Sequence, residues 1–508
     1  MNGAEALVTT LLQSEVEVCF ANPGTSEMHF VAALDRVAGM KCVLGLHETV
    51  VTGMADAYFR MAGKPAATLL HCGPGLANGM ANLHNARRGR SGIVNIVGDQ
   101  ATWHRPFDAP LTADTEGMAR TVSHRVETVA APARIGGAAV AAIQAARQGQ
   151  IATLILPADV SWQEGAAPEV AGPVAPAAAP DAQVIETAAR LLRDPARRVL
   201  LFVGGNAAMG PGQRALARIL PATGAEVMAE LLTARMERGQ GRLPIPRIPY
   251  PMDLAMEKLA PFDTVILVGA KAPVAFFGYP GRPSSLLPEG VELHVLARPE
   301  QDAGQALAAL ADALAAPEGM LPGGGPLPEA ATGAITPESM AQSLGALLPE
   351  GAIVVDESIT FGRNFGQVTM APHDWLALTG GAIGDGLPMA TGAALATGRR
   401  VVSLQADGSA AYSLQALWTQ ARENLPCTTL LISNRRYNIL IGEYHATGAT
   451  PGPTAMEMLD LGRPDIDWVS LARGFGVEAA RAETMEQVNA LMRASFARTG
   501  PFLIELVV

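Results

Sequence analysis

The sequence predicts an α/β protein built from three doubly wound domains with parallel sheets. Short runs of Val, Ile and Leu alternate with longer helical patterns along the 508 residues, which is typical of parallel strands connected by helices. Two stretches rich in Pro, Gly and Ala, 165–180 and 317–337, interrupt this alternation and have the composition of linkers. They separate predicted domains at 1–165, 181–316 and 337–508, each long enough for its own core.

The composition excludes several classes of partner. A net charge of −11 offers no basic face, so nucleic acid and anionic membranes are poor partners. The chain has no run of about eighteen apolar residues that would predict a transmembrane helix, and its opening, Met1-Asn-Gly-Ala-Glu, lacks the basic region of a signal peptide. The four cysteines have neither metal-pair nor Cys-x-x-Cys spacing. We therefore expect a cytoplasmic protein.

In the first domain, predicted strands end at residues that could bind or react. The strand at 41–46 ends at His47-Glu48, and the apolar spacing that follows is helical. The strand at 66–70 ends at His71, which precedes a Gly-Pro-Gly turn. This turn is a weak match to a dinucleotide-binding fingerprint, because its glycine spacing is wrong and it contains a proline. From the residues alone, Glu48 could equally be an acidic residue in a first helical turn, and His71 a hydrogen-bonded histidine at a strand end.

The third domain contains the most informative pattern. A predicted strand at 400–405 breaks at Asp407-Gly408-Ser409, a helical stretch follows, and a strand at 428–433 leads to Asn434. In a parallel strand–helix–strand unit both strand ends lie at one edge of the sheet, so Asp407 and Asn434 can converge there. Their side-chain oxygens suit Mg²⁺, and the Gly408-Ser409 turn could meet phosphate groups with backbone N–H donors. An ordinary strand-end turn and an unrelated loop asparagine are the alternative.

Taken together, these features resemble the thiamine diphosphate (ThDP) enzymes, in particular acetolactate synthases and benzoylformate decarboxylases, and the resemblance covers nearly the whole chain. The metal motif of that family is Gly-Asp-Gly followed by an Asn-Asn pair. Here Ala406 replaces the first glycine and Arg435 the second asparagine. The resemblance implies that Asp407, Asn434 and the backbone carbonyl of Arg436 bind Mg²⁺.

The same resemblance assigns roles to the candidates in the first domain. It implies that Glu48 hydrogen-bonds the aminopyrimidine of ThDP and so promotes formation of the C2 carbanion that is the catalyst. His71 takes the place of an active-site acid/base of benzoylformate decarboxylase. His104 is a second candidate, because it lies near the place where pyruvate decarboxylases carry paired histidines. That pair is absent here.

The resemblance also implies a set of cofactor contacts in the third domain. Ile383, in the segment 379–388, is the bulky residue that bends the cofactor into a V shape. In the loop that touches the diphosphate, Ile359 replaces a polar residue of the family. The remaining implied cofactor-binding residues are Ser358, Thr360, Gly381, Gly408, Ser409 and Asn434.

The function implied is that of a ThDP- and Mg²⁺-dependent enzyme that decarboxylates a small 2-oxo acid and joins the product to an aldehyde or other carbonyl acceptor, as acetolactate synthases do. The alternatives are a benzoylformate-type decarboxylase, a catalytically silent ThDP-binding paralogue and, least favoured, a nicotinamide dehydrogenase. We expect a homodimer or homotetramer, because relatives bind ThDP between two chains. FAD is not expected, because the middle domain has no Gly-x-Gly-x-x-Gly.

Overall fold

A computed structural model describes residues 1–175, 177–178 and 180–508, with only the backbone of 363, 364 and 367. It contains three sheets, all of them parallel apart from one added strand. The predicted α/β class with parallel sheets in three parts is confirmed. Two residues of the expected linker at 165–180, 176 and 179, lie outside the described part.

The first part of the chain forms a six-stranded parallel sheet. Its elements are α1 (Gly3–Gln13), β1 (Val18–Asn22), α2 (Met28–Arg36), β2 (Lys41–Leu44), α3 (Glu48–Ala62), β3 (Ala66–Leu70), α4 (Cys72–Gly89), β4 (Ile93–Asp99), α5 (Thr115–Val122), β5 (Arg125–Thr128), α6 (Ile135–Arg147), β6 (Ile151–Pro157) and α7 (Ala158–Trp162). The strand order is β2-β1-β3-β4-β6-β5. Strands β3, β4 and β6 are buried along their whole length, as expected for a sheet with helices on both faces.

The middle part forms a four-stranded parallel sheet in the order β11-β10-β7-β8. Its elements are α8 (Ala182–Arg193), β7 (Val199–Val203), α9 (Gly210–Thr223), β8 (Glu226–Ala229), β9 (Arg235–Arg238), α10 (Met252–Leu259), β10 (Thr264–Val268), β11 (Glu292–Ala297) and α11 (Ala303–Ala313).

The third part forms a seven-stranded sheet in the order β16-β17-β15-β14-β12-β13-β9. Its elements are α12 (Pro337–Leu347), β12 (Ile353–Glu357), β13 (His373–Ala377), α13 (Gly386–Thr397), β14 (Val401–Ala406), α14 (Asp407–Ser413), α15 (Ala416–Arg422), β15 (Cys427–Ser433), α16 (Asn438–Thr447), α17 (Pro453–Glu457), α18 (Trp468–Gly474), β16 (Glu478–Ala482), α19 (Met485–Phe496) and β17 (Phe502–Val507). Short 3₁₀ helices lie at Thr25–Glu27, Arg105–Phe107, Pro132–Arg134, Gly205–Ala208 and Phe361–Gln367.

Strand β9 comes from the middle part but pairs antiparallel with β13 of the third sheet. Arg235 Nε donates to Asp374 Oδ1 at 2.7 Å, and the Arg238 guanidinium lies 4.6 Å from the Trp375 ring centroid. The sequence Arg-Met-Glu-Arg has no run of apolar residues, so its pattern does not indicate a strand. The middle and third parts are thus joined through a shared sheet.

The first and third parts of the chain pack directly through α3 and α13. Glycines allow this close approach, because a Cβ on Gly392 would lie 2.1 Å from the Met54 carbonyl oxygen and one on Gly53 would lie 2.6 Å from Pro388 Cβ. A buried ion pair, Arg60 with Asp56, lies beside this contact. The packing fixes Glu48, at the start of α3, relative to the segment before α13.

None of the helices in the described ranges combines the length and apolar character needed to cross a bilayer.

Candidate active site

Glu48 occupies the first position of α3 and is buried. Asn78 on α4 donates its side-chain N–H to Glu48 Oε2 at 3.0 Å. The other oxygen faces Gly75, where a Cβ would come within 3.1 Å of it and within 3.5 Å of His71 Cβ. The structure therefore places Glu48 and His71 next to the same glycine.

His71 precedes α4, and its ring pairs with Glu27. Its Nδ1 lies 2.7 Å from Glu27 Oε2, and the His71 side chain is 23% exposed while that of Glu27 is 1% exposed. Glu27 Oε2 also accepts the Gly24 backbone N–H at 2.7 Å. Burial raises the pKa of Glu27, although these two contacts oppose the rise. A buried carboxyl group thus orients the imidazole and leaves Nε2 as the ring nitrogen available for proton exchange.

Close packing sets the position of this histidine–glutamate pair. A Cβ on Gly24 would lie 2.4 Å from the His71 ring, and one on Gly98 would lie 1.6 Å from Glu27 Oε1. Cys72, next to His71, lies 3.2 Å from the Ser26 hydroxyl. Burial raises the pKa of the Cys72 thiol to about 11, which disfavours the reactive thiolate form.

His104 is the alternative acid/base. It is half-buried in a loop between Trp103 and Phe107, with ring centroids 5.5 and 6.1 Å from its own. Both neighbouring aromatic side chains are largely exposed. The structure gives His104 no carboxylate partner among the described residues.

At the third sheet, the parallel pairing of β14 with β15 brings the ends of both strands together. Asp407 is buried and accepts the Gly408 N–H on Oδ1 at 2.8 Å and the Arg435 N–H on Oδ2 at 2.6 Å. Burial raises the pKa of Asp407, and the backbone donors lower it. A bound cation would stabilise the ionised carboxylate further.

The loop after β15 is fixed by backbone contacts. The Asn434 Oδ1 atom accepts the Arg436 N–H at 3.2 Å, and the Arg436 carbonyl accepts the Asn438 N–H at 3.0 Å. Arg435 adopts a left-handed conformation with φ 55°, and its side chain lies 3.7 Å from Asp465. The loop therefore presents one amide oxygen and one carbonyl beside Asp407, a donor set that suits Mg²⁺.

The turn at Gly408 leaves no space for a side chain. A Cβ on Gly408 would lie 2.6 Å from the Tyr437 ring. Ser409 is buried, and its hydroxyl lies 3.0 Å from the Ala406 carbonyl and 3.2 Å from that of Glu357. Only glycine lets the backbone lie this close to its neighbours, and a diphosphate is bound by backbone N–H groups at such positions. These residues therefore fit the implied cofactor.

Ser358 and Thr360 follow β12. The Ser358 hydroxyl is buried and donates to Asp356 Oδ1 at 2.6 Å, while Thr360 is half-buried before a 3₁₀ helix. Ile359, between them, has φ 56°, a conformation that costs energy for a β-branched residue. The strained position turns this loop sharply at the sheet edge.

The segment before α13 carries Gly381 and Ile383. Gly381 has φ 78°, and a Cβ there would lie 2.7 Å from the Phe276 ring of the middle part. Ile383 is half-buried, and Asn85 on α4 brackets Ala382 with hydrogen bonds of 2.8 and 3.1 Å. Helix α4 of the first part thus holds this segment in the same chain.

Sequence reasoning missed Glu357, which organises this segment. Its oxygens accept the N–H groups of Gly384, Asp385 and Gly386 at 2.7, 3.3 and 2.8 Å. Burial raises the pKa of Glu357 to about 7. Burial and the nearby Asp56 raise the pKa of Asp385 well above its usual range. The only sequence signal for Glu357 was its position at a strand end.

A second group that sequence reasoning missed joins the middle part to α16. The Tyr250 and Tyr279 hydroxyls donate to the two oxygens of Glu443 at 2.9 and 3.0 Å. Phe276 lies beside Tyr250, with ring centroids 5.5 Å apart. No local pattern in the sequence indicates this pairing.

Among the described residues, neither Glu48 nor His71 hydrogen-bonds the loop at Asp407 and Asn434. We call these two groups of candidate residues the half-sites, with Glu48 and His71 at the first sheet and Asp407 and Asn434 at the third.

Family models match both half-sites. Residues 1–127 match the thiamine pyrophosphate enzyme N-terminal TPP binding domain, and residues 363–506 match the corresponding C-terminal TPP binding domain. The chain belongs to the thiamine pyrophosphate enzyme family. Its α/β fold and its similarity to ThDP-dependent enzymes agree with this assignment.

Individual relatives cover the full chain. It is 51% identical to the Mycobacterium tuberculosis "Putative acetolactate synthase large subunit IlvX", over 100% of this chain and 99% of the relative. It is 31% identical to benzoylformate decarboxylase of Pseudomonas aeruginosa, over 96% and 95%. The structure of a Rhodococcus jostii ThDP-dependent 4-hydroxybenzoylformate decarboxylase is 25% identical, with a TM-score of 0.84 over 99% and 98%.

Proposed function

We propose that the chain is a ThDP- and Mg²⁺-dependent enzyme that decarboxylates a 2-oxo acid and joins the product to a second carbonyl compound. The observation that carries this proposal is that the loop carrying Asn434 is held to Asp407 by the Arg435 N–H, beside Gly408, which has no space for a side chain. The full-length similarity to the M. tuberculosis protein supports carboligation as the outcome.

ThDP, when bound, supplies a carbon nucleophile that adds to the 2-oxo group and accepts the electrons left when carbon dioxide departs. In the proposed site, Asp407, Asn434 and the Arg436 carbonyl would bind the magnesium ion. Gly408 and Ser409 would hold the diphosphate, with Ser358 and Thr360 at the neighbouring strand end, and Gly381 and Ile383 would contact the ring portion. Glu48, kept in place by Asn78, holds a proton at the pyrimidine nitrogen.

Non-oxidative decarboxylation is the second candidate, and the His71–Glu27 pair favours it. Simple decarboxylation ends with a proton delivered to carbon, whereas carboligation needs a proton at the new alkoxide oxygen. An imidazole whose Nδ1 is fixed by a buried carboxyl group can supply a proton from Nε2. The similarity to benzoylformate decarboxylase over 96% of the chain supports this candidate too.

Product analysis tests both candidates. The protein, loaded with ThDP and Mg²⁺, is offered a panel of 2-oxo acids with and without aldehydes, and products are identified by mass spectrometry. Acyloins or 2-hydroxy-2-oxo acids support carboligation, and aldehydes alone support decarboxylation. Retained ThDP without any product would favour a silent paralogue and contradict the proposal. Asp407→Ala is the control, because it should not retain the cofactor.

We propose that FAD has no role here. In doubly wound domains the loop after the first strand binds phosphates through backbone N–H groups, but after β7 a Cβ on Gly204 would lie 2.2 Å from Glu230 Oε1. A carboxyl group at this loop disfavours a diphosphate. Purified protein should lack flavin absorbance, and a stoichiometric flavin would contradict this.

A further inference from the structure

Glu443 is an acidic residue fixed in an aromatic setting. Each of its carboxylate oxygens accepts one tyrosine hydroxyl, from Tyr250 and from Tyr279. Among the residues that the structure describes, no lysine, arginine or histidine forms an ion pair with it. Its negative charge is therefore oriented but not neutralised.

This group borders the proposed cofactor site from two directions. Phe276 lies beside Tyr250 with the ring planes tilted by 55°, and it also packs against Gly381, two residues before Ile383. Glu443 itself belongs to α16, which begins at Asn438, shortly after the proposed magnesium loop. The contacts thus connect the segment proposed to lie under the cofactor rings with the helix that follows the proposed metal loop.

The chemistry of the group is that of a cation-binding site. Phe276 and Phe277 are 43% and 53% exposed, and their rings meet edge to face with centroids 5.0 Å apart. Aromatic faces attract cations, and a neighbouring carboxylate adds a charge-assisted hydrogen bond. If the contact between α16 and the middle part were purely structural, a neutral side chain in place of Glu443 would make it at a lower desolvation cost.

We propose that Glu443 is a specificity-determining residue that selects 2-oxo acids whose side chain ends in a positively charged group, and that Tyr250 and Tyr279 are its positioning residues. This proposal rests on the proposed function. Its physical basis is a difference in affinity, since a fixed negative charge attracts a cationic side chain and repels an anionic one.

The same contacts also attach α16, in which no residue is buried. An attachment role and a recognition role have different consequences. Loss of attachment would weaken turnover of every substrate alike, whereas loss of recognition would change the ranking of substrates by charge.

The test compares three 2-oxo acids of similar length on the ThDP- and Mg²⁺-loaded protein: 5-guanidino-2-oxopentanoate, 2-oxohexanoate and 2-oxoadipate. We expect kcat/KM to fall in that order. Glu443→Gln should reduce the ratio of the cationic to the anionic acid by about 10- to 100-fold, the range of one charge-assisted hydrogen bond. Tyr279→Phe should shift the ratio in the same direction by less. Glu257→Gln, which removes an exposed charge on α10, should leave it unchanged.

Binding of the same acids, measured by calorimetry, separates this proposal from the proposed function. Turnover with no charge preference, or with a ratio that Glu443→Gln does not move, would overturn the role of Glu443 and leave the proposed function standing. If the three acids bind in the order of their charge but no carbon dioxide is released, the proposed function is overturned and the role of Glu443 in recognition stands. A uniform loss for all three acids in Glu443→Gln would reduce the group to an attachment of α16.

Discussion

At the residue scale, the first prediction concerns Glu48, whose carboxylate accepts a hydrogen bond from Asn78. Glu48→Gln keeps the size of the side chain but cannot hold the proton that the pyrimidine nitrogen requires. We expect turnover to fall by about 10³-fold or more, toward the upper range for loss of an acid/base group, while ThDP still binds. Single-turnover release of carbon dioxide and calorimetry with ThDP measure the two effects. Turnover close to wild type in this variant would disprove the proposed mechanism.

The pair of His71 and Glu27 makes the second prediction. His71→Ala should slow conversion of the preferred 2-oxo acid by about 10²-fold and leave ThDP affinity nearly unchanged. Glu27→Gln should slow the same conversion by less than His71→Ala does, because the imidazole keeps its ring but loses the carboxyl partner that orients it. His104→Ala is the comparison, and if it alone changes the product ratio, the proton donor is His104.

Sequence reasoning at this scale could name single residues but not their partners. Glu48, Asp407 and Asn434 stand at ends of predicted strands, so a local pattern points to them. Glu27 acts through His71, and Glu357 acts through the N–H groups of Gly384 and Gly386. In both cases the fold brings the partner close from a distant position in the sequence. Such pairings leave no local signal.

At the element scale, the end of β12 makes the third prediction through Glu357. Because burial raises its pKa from 4.5 to about 7, its contribution to stability is complete below pH 4.5 and is lost as the pH rises through about 7. Glu357→Gln cannot ionise. Relative to this variant, the wild-type protein should therefore lose up to about 3 kcal/mol between pH 4.5 and pH 8.

Denaturant unfolding of both proteins at several pH values measures this difference. The exposed Glu257→Gln variant is the control and should parallel the wild type. Equal pH dependence of the Glu357→Gln variant and the wild type would contradict the assignment of a buried, protonated Glu357 at low pH.

The turn between β14 and α14 makes the fourth prediction. In Gly408→Ala the new Cβ would lie 2.6 Å from the Tyr437 ring, so the turn must shift. We expect ThDP affinity in the presence of Mg²⁺ to fall by at least about tenfold, the effect of roughly 1.4 kcal/mol. Gly442→Ala is the matched control, because nothing lies within 4 Å of the position that its new Cβ would take. Unchanged affinity in Gly408→Ala would remove this turn from the diphosphate site.

Hydrophobic patterns in the sequence predict the apolar strands of this fold but not its charged strand. The runs that became β14 and β15 are buried throughout apart from Ala406, which is why their pattern predicts them. β9 contains three charged residues and is stabilised by Arg235 and Arg238 contacts to β13, so hydrophobic periodicity does not indicate it. α16 has no buried residue, and its position depends on Glu443.

At the scale of the whole molecule, the two half-sites make the fifth prediction. We expect an active homodimer or dimer of dimers in which Glu48 of one subunit and Asp407 of another belong to the same active site. Within one chain, Glu48 makes no hydrogen bond to the loop at Asp407 among the described residues. Light scattering should show a dimer or larger species. Active protein that elutes as a monomer would contradict the prediction.

Complementation makes this prediction sharper. Glu48→Gln and Asp407→Ala homodimers should each be inactive, but a mixed dimer contains one site in which both residues are intact. Coexpression of the two variants with different tags should therefore restore activity to the doubly purified species. If both residues belong to the same site within one chain, every site in the mixture is defective and no activity returns.

The shared strand β9 makes the middle part a structural component of the third sheet. Excising 181–316 would strip β13 of its neighbour and leave a row of unpaired backbone N–H and C=O groups at a sheet edge, which favours association with other chains. It would also uncover Trp375, which is buried beneath Arg238. A chimaera that exchanges the middle region between relatives would therefore need to keep residues 235–238 with the carboxy-terminal half, or else risk insoluble protein.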